Sequence, residues 1–472
     1  MHEGHRRAPG SGSLDFLAGV IEGFYGRPWT RQERIDLFDR MAAFGLTTYL
    51  YAPKDDLKHR ALWRETYAAD EAEALAALVR SCGERGIRFI YAISPGLDIR
   101  FSSEADRACL WQRVDQMAAL GCGHFALLFD DIPDRMHQED AARWPSMAAA
   151  QAEVASALFR RVREQQPGAR FLFCPTPYCG RMAERQLGGP GYLDTIGREL
   201  DAGVDICWTG PDIVSREISV AHVRGVRDIL KRKPVIWDNL HANDYDGQRF
   251  YCGPYAGRPR ELREEVAGIL SNPNCELPLN DVPLRTLGEF LRGSGPWDER
   301  RAYLAAMAAW LPRFAIVGPP VELEDLLLLG DCYYLPWEEG PSAAAFIEAA
   351  GRLLASGPAG WGERRAALQA QAERLRSVCA RMADLRDRPL FHALSRRIWD
   401  LREEMDLLLA AIRIREADPH APIRSDYHLP GTYRGGAVAR LRQLLRQQPD
   451  GAFVAETGGS RDGGATAQRA PR

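Results

Sequence analysis

The segment Phe125-Ala-Leu-Leu-Phe-Asp-Asp-Ile132 is an apolar run that ends in two adjacent carboxylates. Its five apolar residues, rich in Phe and Leu, predict a strand buried on both faces. Successive side chains of a strand point to opposite faces, so Asp130 and Asp131 should lie in different surroundings. Two acids in different surroundings can divide acid and base roles. Taken alone, however, such a pair more often marks a turn or a helix cap at a strand end.

Similar apolar runs alternate with amphipathic helical stretches through the first part of the chain. The predicted strands cover residues 17–25, 47–54, 88–95, 124–131, 170–178, 205–211, 233–241 and 275–281. The predicted helices between them include residues 31–44, 70–85, 103–120, 146–165 and 220–231. Such alternation favours a parallel sheet, and eight units predict an α/β fold, a closed (β/α)8 TIM-type barrel over residues 15–295. Pro278 lies inside the eighth predicted strand, where a proline is unfavourable.

The carboxyl ends of the predicted strands share a polar, aromatic or glycine-bearing character. Barrel enzymes build their active sites at this face, so the shared character predicts a pocket and argues against a mere turn at Asp130 and Asp131. The groups in chain order are Glu22-Gly23-Phe-Tyr25-Gly26, Lys54-Asp55-Asp56, Ser94-Pro-Gly96, Asp130-Asp131, Thr176-Pro-Tyr178, Thr209-Gly210, Trp237-Asp238-Asn239 with Asn243-Asp244, and Asn280-Asp281.

Composition narrows the class of protein. The chain has 472 residues, 46% hydrophobic and 26% charged, with a net charge of -3, which gives no general case for nucleic acid or an anionic membrane as partner. No stretch approaches ~20 consecutive apolar residues, and the first fourteen residues lack an apolar signal-peptide core. The ten cysteines include no CxxC pair, which favours a reduced, cytoplasmic setting. Residues 1–14 and 456–472 are expected to be disordered.

A helical region is predicted over residues 296–455. Helices are expected at residues 343–354, 363–385, 390–415 and 437–446, with Pro389 separating the second from the third. The third carries apolar residues at alternating steps of three and four, which suits bundle or coiled-coil packing. The pattern alone leaves an internal bundle and a dimerisation surface equally open. The seam consists of Phe391, Leu394, Ile398, Leu401, Met405, Leu408 and Ile412.

The groups gathered at the predicted barrel mouth suit a neutral polyhydroxylated ligand. Acids and amides bind hydroxyls, and aromatic faces cover the apolar side of a sugar ring. No GxGxxG or GxxxxGK[ST] motif supports a phosphate site, and no GxSxG motif supports a serine nucleophile. A metal site is a stronger competitor, because Asp238, His241, Asp244 and Asp246 form an acidic loop, but no paired-histidine spacing supports it. We therefore expect neither a metal nor a cofactor.

Of the chemistries considered, the one that these residues still support is glycoside hydrolysis driven by carboxylates. Most such enzymes flank the bond with two separated acids, which adjacent residues on one strand cannot easily do. In substrate-assisted enzymes the sugar's own 2-acetamido oxygen attacks the anomeric carbon, so no enzyme nucleophile is needed. One carboxylate then orients the acetamido N–H and the other protonates the leaving oxygen. Asp130 and Asp131 suit these two tasks, although their spacing does not say which takes which.

Around these residues the chain resembles the O-GlcNAcase family, glycoside hydrolase family 84. The matching blocks span nearly all of residues 19–281 in order, and weaker similarity to the helical stalk of the animal-type enzymes continues at residues 332–341 and 433–436. The blocks include Gly19-Val-Ile-Glu-Gly-Phe-Tyr-Gly-Arg-Pro-Trp29, Tyr49-Leu-Tyr-Ala-Pro-Lys-Asp-Asp56, Tyr91-Ala-Ile-Ser-Pro-Gly-Leu-Asp98, Phe173-Cys-Pro-Thr-Pro-Tyr-Cys-Gly180, Val235-Ile-Trp-Asp-Asn-Leu-His-Ala-Asn-Asp-Tyr-Asp246 and Asn272-Pro-Asn-Cys-Glu276.

The resemblance implies a role for each matching site residue. Asp130 would orient the acetamido nitrogen and stabilise an oxazoline intermediate, and Asp131 would act as general acid and then as general base. Tyr178 would hydrogen-bond the acetamido group, and Trp237 would wall the pocket around its methyl. The residues implied to hold the sugar are Gly23, through its carbonyl, and Lys54, Asn239, Asp244 and Asn280.

The resemblance also implies a reaction and partners. The reaction would be that of a retaining exo-β-N-acetylglucosaminidase acting on O-linked GlcNAc of protein Ser and Thr. The same mechanism on GlcNAc-containing oligosaccharides or polysaccharides, and a GlcNAc-binding protein without turnover, stay open as alternatives. The stalk similarity implies a homodimer formed through the helical region. The resemblance ends within the helical stalk, and we expect no counterpart of the acetyltransferase-like domain of the animal enzymes in this sequence.

Overall fold

A computed structural model describes residues 16–422, 445–447 and 453–455. Eight parallel strands form a closed barrel in chain order, and β1 pairs with β8 from Leu17 opposite Gly268 to close it. The predicted (β/α)8 barrel is therefore confirmed. The strands are β1 Leu17–Glu22, β2 Thr48–Tyr51, β3 Arg88–Ile93, β4 His124–Leu128, β5 Phe171–Cys174, β6 Asp205–Trp208, β7 Val235–Asp238 and β8 Gly268–Ser271.

The eighth strand lies earlier in the chain than predicted. Residues 275–281 do not form a strand: Leu277–Leu279 is a short 3-10 helix with Pro278 in its first turn, and the next α-helix starts at Asp281. A proline has no N–H to donate to a neighbouring strand but fits the first turn of a helix. The barrel closes instead with the buried Gly-Ile-Leu-Ser of β8.

Ten α-helices pack around or follow the barrel strands. Several begin at a hydroxyl cap, including Thr30, whose side chain accepts from the Glu33 N–H while the Glu33 carboxylate accepts from the Thr30 N–H. Such caps satisfy backbone donors that the first turn leaves free, and they place the helix starts close to the predicted ones. The helices are α1 Arg31–Phe44, α2 Ala69–Glu84, α3 Glu104–Ala119, α4 Gln138–Arg143, α5 Met147–Gln165, α6 Gly180–Glu184, α7 Tyr192–Glu199, α8 Val220–Leu230, α9 Leu262–Glu265 and α10 Asp281–Arg292.

The barrel interior and the layer between strands and helices form two separate apolar clusters. Alternate strand residues point inward, where Ile21, Leu50 and Leu128 are fully buried in the smaller cluster. Their neighbours point outward against the helices, as Val20 and Tyr49 do in the larger one. The inward cluster ends at its upper side in Tyr178 and Trp237, so the packed interior also forms the floor of the barrel mouth.

The region after the barrel is helical up to residue 417. Leu394, Ile398, Met405 and Ile412 of the predicted seam are buried, and the other three seam residues pack partly buried against the same core. Pro389 lies in the first turn of the later helix, after the Asp387 cap. The two helices are therefore separated by the residues before Pro389 and not by the proline itself. The helices are α11 Glu299–Trp310, α12 Leu323–Asp331, α13 Pro341–Ala355, α14 Gly362–Arg381 and α15 Arg388–Ala417, with 3-10 turns at Leu311–Phe314, Pro358–Gly360 and Met382–Asp384.

Backbone and charged contacts join this helical region to the barrel. The N–H groups of Cys252 and Gly253 donate to the carbonyls of Tyr333 and Tyr334 at 2.9 and 2.7 Å. Glu276 accepts from Arg397 of α15 at 2.7 Å through one oxygen and from Asn243 at 3.1 Å through the other. The loop after β7 is therefore attached to the helical region.

Three predictions fall on chain ends that the structure describes little or not at all. The segments 1–14 and 456–472, expected to be disordered, lie outside the described residues, as do residues 433–436. Of the helix predicted at 437–446, only residues 445 and 446 are described. They belong to a strand, β9 Leu445–Gln447, which pairs antiparallel with β10 Phe453–Ala455, so the predicted helix is wrong at that end.

Candidate active site

A cavity of about 390 Å³ opens at the carboxyl ends of the barrel strands. This volume lies in the range of small-molecule sites. Each strand except β3 contributes to the cavity. Strand β5 ends in a lining residue, Cys174, and the other six strands are followed by one. The lining residues are Gly23, Tyr25, Lys54, Asp130, Asp131, Cys174, Tyr178, Thr209, Ile213, Val214, Trp237, Asn239, Ala242, Asp244, Tyr245 and Asn272.

Asp130 is a buried carboxylate with one occupied and one free oxygen. Its Oδ2 pairs with the Lys54 ammonium, and both side chains are almost fully buried, at 8% and 2% exposure. Its Oδ1 is buried and has no hydrogen-bond partner in the described part of the chain. Burial alone would raise the pKa of Asp130, but the Lys54 charge and hydrogen bond outweigh it and hold that pKa below its usual value. Asp130 is therefore an anion with one acceptor available to a ligand.

Asp131 is exposed at the cavity rim and is held by two phenols. The hydroxyls of Tyr178 and Tyr25 donate to its two oxygens at 2.8 and 3.0 Å. Burial, and then the neighbouring Asp131 charge, raises the pKa of each tyrosine, so both hydroxyls stay protonated as donors. The Asp131 backbone has φ of +51°, an uncommon left-handed conformation. The two carboxylates consequently lie in the different surroundings expected from their adjacency.

Trp237, Asn239 and Asn272 form a connected wall on the opposite side. The Asn239 Oδ1 accepts from the Trp237 indole at 3.1 Å and from the Asn272 amide at 2.9 Å. The Asn272 Oδ1 in turn accepts from the Gly23 N–H at 3.4 Å. A Cβ on Gly23 would lie 2.4 Å from the Trp237 ring, so only glycine lets the chain pass this close.

Asp244 and the aromatic residues beside it form the outer edge. The Asp244 Oδ2 accepts from the Tyr25 N–H at 3.0 Å, which joins the loop after β7 to the loop after β1. Tyr25 and Tyr245 are 43% and 56% exposed, so the edge combines an acid with two partly accessible aromatic faces. This combination suits a sugar with its hydroxyls on the acid and its ring against an aromatic face.

The structure brings eight of the nine predicted site residues together and leaves Asn280 out. Asn280 is fully buried away from the cavity, where its amide groups bond Asn274 at 2.8 to 3.0 Å. Asn272, which follows the last residue of β8, lines the cavity instead. Sequence reasoning missed Tyr25 and Asn272 as site residues, although Tyr25 stands in a strand-end group that it singled out.

The acidic loop considered as a metal site is engaged in structural contacts. Both oxygens of Asp238 accept from the fully buried Arg258 at 2.8 Å, and Tyr255 donates to one of them. The His241 Nε2 bonds the Gly253 carbonyl at 3.0 Å. Across the described ranges no group of three or more His, Cys, Asp or Glu side chains is arranged to hold a metal ion.

Comparison with known proteins identifies the family. The sequence model of NAGidase, beta-N-acetylglucosaminidase, matches residues 18–314. The chain belongs to the beta-N-acetylglucosaminidase family. This match begins in β1 and extends past α10 and α11, so the family region includes all eight strands and the cavity.

Individual proteins similar to the chain are named as O-GlcNAcases. It is 47% identical over 283 residues to Protein O-GlcNAcase of Rattus norvegicus and of Mus musculus, a match that covers 60% of this chain. The chain spans 31% of the length of these relatives. It also superposes on a mutant of the Thermobaculum terrenum O-GlcNAc hydrolase with a TM-score of 0.74 and 28% identity, covering 84% of this chain and 83% of that one.

Among the described residues, no helix is both long and apolar enough to cross a membrane.

Proposed function

We propose that the protein is a retaining exo-β-N-acetylglucosaminidase that removes O-linked GlcNAc from Ser and Thr of proteins by substrate-assisted catalysis. The observation that carries this proposal is the buried, unpartnered Oδ1 of Asp130 on the cavity wall. A buried acceptor is normally hydrogen-bonded, and the N–H of a 2-acetamido group supplies the missing donor. The names of the relatives, Protein O-GlcNAcase and O-GlcNAc hydrolase, support the substrate.

The two aspartates divide the chemistry of the first step. The acetamido oxygen of the substrate attacks the anomeric carbon, the bond to the Ser or Thr oxygen breaks, and Asp131 donates its proton to that leaving oxygen. Asp130 accepts the acetamido N–H, and its negative charge stabilises the positive charge that develops on the oxazoline. Lys54 keeps Asp130 ionised throughout, because it lowers the pKa of that carboxyl.

The second step reverses the role of Asp131. A water enters where the aglycone left, Asp131 takes one of its protons, and the oxygen attacks the anomeric carbon while the oxazoline bond to that carbon breaks. Two successive inversions retain the configuration. Tyr178 hydrogen-bonds the acetamido oxygen when the sugar is bound, which releases one Asp131 oxygen for the leaving group, while Tyr25 keeps the other.

The remaining cavity residues bind the sugar. Trp237 walls the acetamido methyl, and Lys54, beside Asp130, is within reach of a hydroxyl. The residues proposed to hold the other sugar groups are the Gly23 carbonyl, Asn239, Asp244 and, in place of Asn280, Asn272.

The test compares substrates in a single assay series. The protein should release the chromophore from an aryl N-acetyl-β-glucosaminide and GlcNAc from an O-GlcNAc-modified protein, with β-GlcNAc as first product by NMR. Chitobiose and hyaluronan fragments serve as competing glycans. A strong preference for those glycans would overturn the protein substrate, and binding of GlcNAc without release from the aryl glycoside at any pH would overturn the enzyme.

The organisation of the chain forms the rest of the proposal. Residues 15–295 are the proposed catalytic domain, and residues 296–455, of which the structure describes helices up to residue 417 and the strands β9 and β10, are the proposed stalk domain through which two copies form a homodimer. In support, Trp399 of α15 is 48% exposed beside a hollow of about 310 Å³ that Phe391 and Ile398 also line. Light scattering should give a dimer for the wild type and a monomer for Trp399→Glu. A cytoplasmic location fits the ten cysteines, all of which are free thiols.

A further inference from the structure

Arg60 lies directly beneath the aspartate pair and contacts its backbone. It stands in the loop after β2, six residues beyond Lys54, and only 6% of it is exposed. Its Nη2 donates to the Asp131 carbonyl at 2.7 Å, and its Nη1 donates to the Asp130 carbonyl at 3.4 Å. One guanidinium therefore binds two successive carbonyls at the position where the chain leaves β4.

This contact coincides with the change in backbone direction at the pair. Leu128 ends β4, and Asp131 has the left-handed φ of +51° that non-glycine residues seldom adopt. A sparsely populated conformation persists only when its surroundings enforce it. With both carbonyls held on the Arg60 side, the Asp130 side chain faces Lys54, whereas the Asp131 side chain faces the phenols of Tyr25 and Tyr178.

The other contacts of Arg60 suit a role in positioning. Its Nη1 also donates to the Ser94 hydroxyl at 2.9 Å, and Ser94 is fully buried at the end of β3. Within the described residues Arg60 has no carboxylate within ion-pair distance. A buried guanidinium loses solvation, and Arg60 regains hydrogen bonds at the Ser94 hydroxyl and at the Asp130 and Asp131 carbonyls, so its binding is directed at the backbone of the pair.

We infer that Arg60 is a positioning residue: by binding both carbonyls, it holds Asp131 in the left-handed conformation that directs its carboxylate at the leaving-group oxygen. This inference rests on the proposed function, in which Asp131 is the acid. Arg60 does not line the cavity. It therefore acts on the reaction through the backbone of the pair.

The experiment compares Arg60→Met and Arg60→Lys with Arg113→Met as matched control. Arg113 is also buried, with 1% exposed, and donates to the Lys58 carbonyl at 2.7 Å and to the Glu65 carbonyl, which lie in the same loop as Arg60, but not to the aspartates. Each variant is assayed on an aryl glycoside with a good leaving group and on an alkyl glycoside with a poor one. Acid assistance matters far more for the poor leaving group.

Arg60→Met should lower kcat/KM on the alkyl glycoside by about 100-fold and on the aryl glycoside by about threefold at most, since general acid catalysis contributes about 10²–10⁴-fold to departure of the leaving group. The quantity compared is kcat/KM, because kcat also includes the second step, in which Asp131 acts as base on both substrates. Arg60→Lys, which can bind one carbonyl at a time, should fall between Arg60→Met and the wild type. Arg113→Met should affect both substrates by the same factor. Equal losses on both substrates for Arg60→Met, or the same leaving-group dependence in Arg113→Met, would overturn the inference.

Ser94→Ala keeps the inference testable if Arg60→Met does not fold. It removes one Arg60 partner from a buried position without introducing a larger side chain, and it should give a smaller loss with the same bias towards the alkyl glycoside. An unbiased effect of Ser94→Ala would then count against the inference. Failure of the wild type on both glycosides would instead contradict the proposed function, which separates the two conclusions.

Discussion

Replacement of Lys54 by methionine tests how the cavity keeps Asp130 charged. Lys54 and Asp130 form a buried ion pair whose side chains are 2% and 8% exposed, and the Lys54 ammonium also lies 5.7 Å from the centre of the Trp237 ring. Methionine has a similar length and fills the same space without the charge. Lys54→Met therefore leaves Asp130 as an uncompensated buried carboxylate.

The expected loss follows from this burial. Removal of one partner of a buried pair costs about 3–5 kcal/mol in the free energy of unfolding. The control is Lys58, which lies in the same loop as Lys54. It pairs with Glu71 near the surface, where the two side chains are 18% and 44% exposed. Lys58→Met should cost about 0–1 kcal/mol, as exposed pairs do.

The pH dependence has a definite sign. In the wild type the pKa of Asp130 is lowered, so the pair adds stability above the pKa of an unfolded aspartate and loses it as pH falls through the folded value. In Lys54→Met burial dominates and raises the pKa of Asp130, so the variant should lose stability as pH rises through that value. Its deficit relative to wild type should therefore be smaller at pH 5 than at pH 7.

Urea unfolding followed by tryptophan fluorescence at both pH values measures these differences in the free energy of unfolding. Lys54→Met should also lose activity on an aryl glycoside. The double variant Lys54→Met with Asp130→Asn should recover most of the stability but no activity, because the amide needs no counter-charge. A Lys54→Met cost no larger than that of Lys58→Met, or no recovery in the double variant, would refute the reasoning.

Three further predictions follow from the same contacts. Asp131→Asn should lower kcat/KM, which reports the steps up to departure of the leaving group, by about 10²–10⁴-fold on an alkyl glycoside but much less on an activated aryl glycoside; equal losses would contradict its proposed role as acid. Gly23→Ala places a Cβ 2.4 Å from the Trp237 ring, so it should raise KM for the sugar. The control Gly168→Ala has open space around its Cβ and should leave KM unchanged. An unchanged KM in Gly23→Ala would show that the Trp237 wall can shift. Arg258→Met breaks the fully buried pair with Asp238 and should destabilise the protein by about 3–5 kcal/mol in thermal or urea unfolding; a loss below 1 kcal/mol would contradict this reasoning.

Local signals explain why most of the barrel could be predicted. Helix α1 has the predicted bounds because Thr30 and Glu33 form a capping box at its start and Gly45 follows its end in a left-handed conformation. Strands β1 to β7 are apolar runs buried on both faces, a pattern that a parallel sheet surrounded by helices produces. These signals depend on residues that are neighbours in sequence.

The error at the eighth strand explains the error in the site. Strand β8 is only four residues long, and residues 275–281 offered Cys275, Leu277 and Leu279 at alternating positions with a polar end at Asn280. The correct strand places Asn272 immediately after Ser271, so that Asn272 lines the cavity from the carboxyl end of β8 as Asp130 does from that of β4. Because the eighth strand was placed too late in the chain, the sequence predicted Asn280 as a site residue where the structure has Asn272.

Tyr25 and Arg60 could not be assigned from the sequence for a different reason. Tyr25 reaches Asp131 across 106 residues of chain, and Arg60 reaches it across 71. Neither contact leaves a periodic or motif signal, because both depend on how the loops fold over the barrel mouth. The left-handed backbone at Asp131 is likewise a product of the folded surroundings.

The contacts between the loop after β7 and the helical region bear on how small a working enzyme could be made. That loop carries Asp244. Its Cys252 and Gly253 bond Tyr333 and Tyr334, and its Asn243 is linked through Glu276, which follows β8, to Arg397. A fragment cut at the end of the barrel would keep all eight strands and both aspartates but would release one rim of the cavity. The minimal catalytic fragment of this chain should accordingly extend through Arg397, well past the last barrel helix.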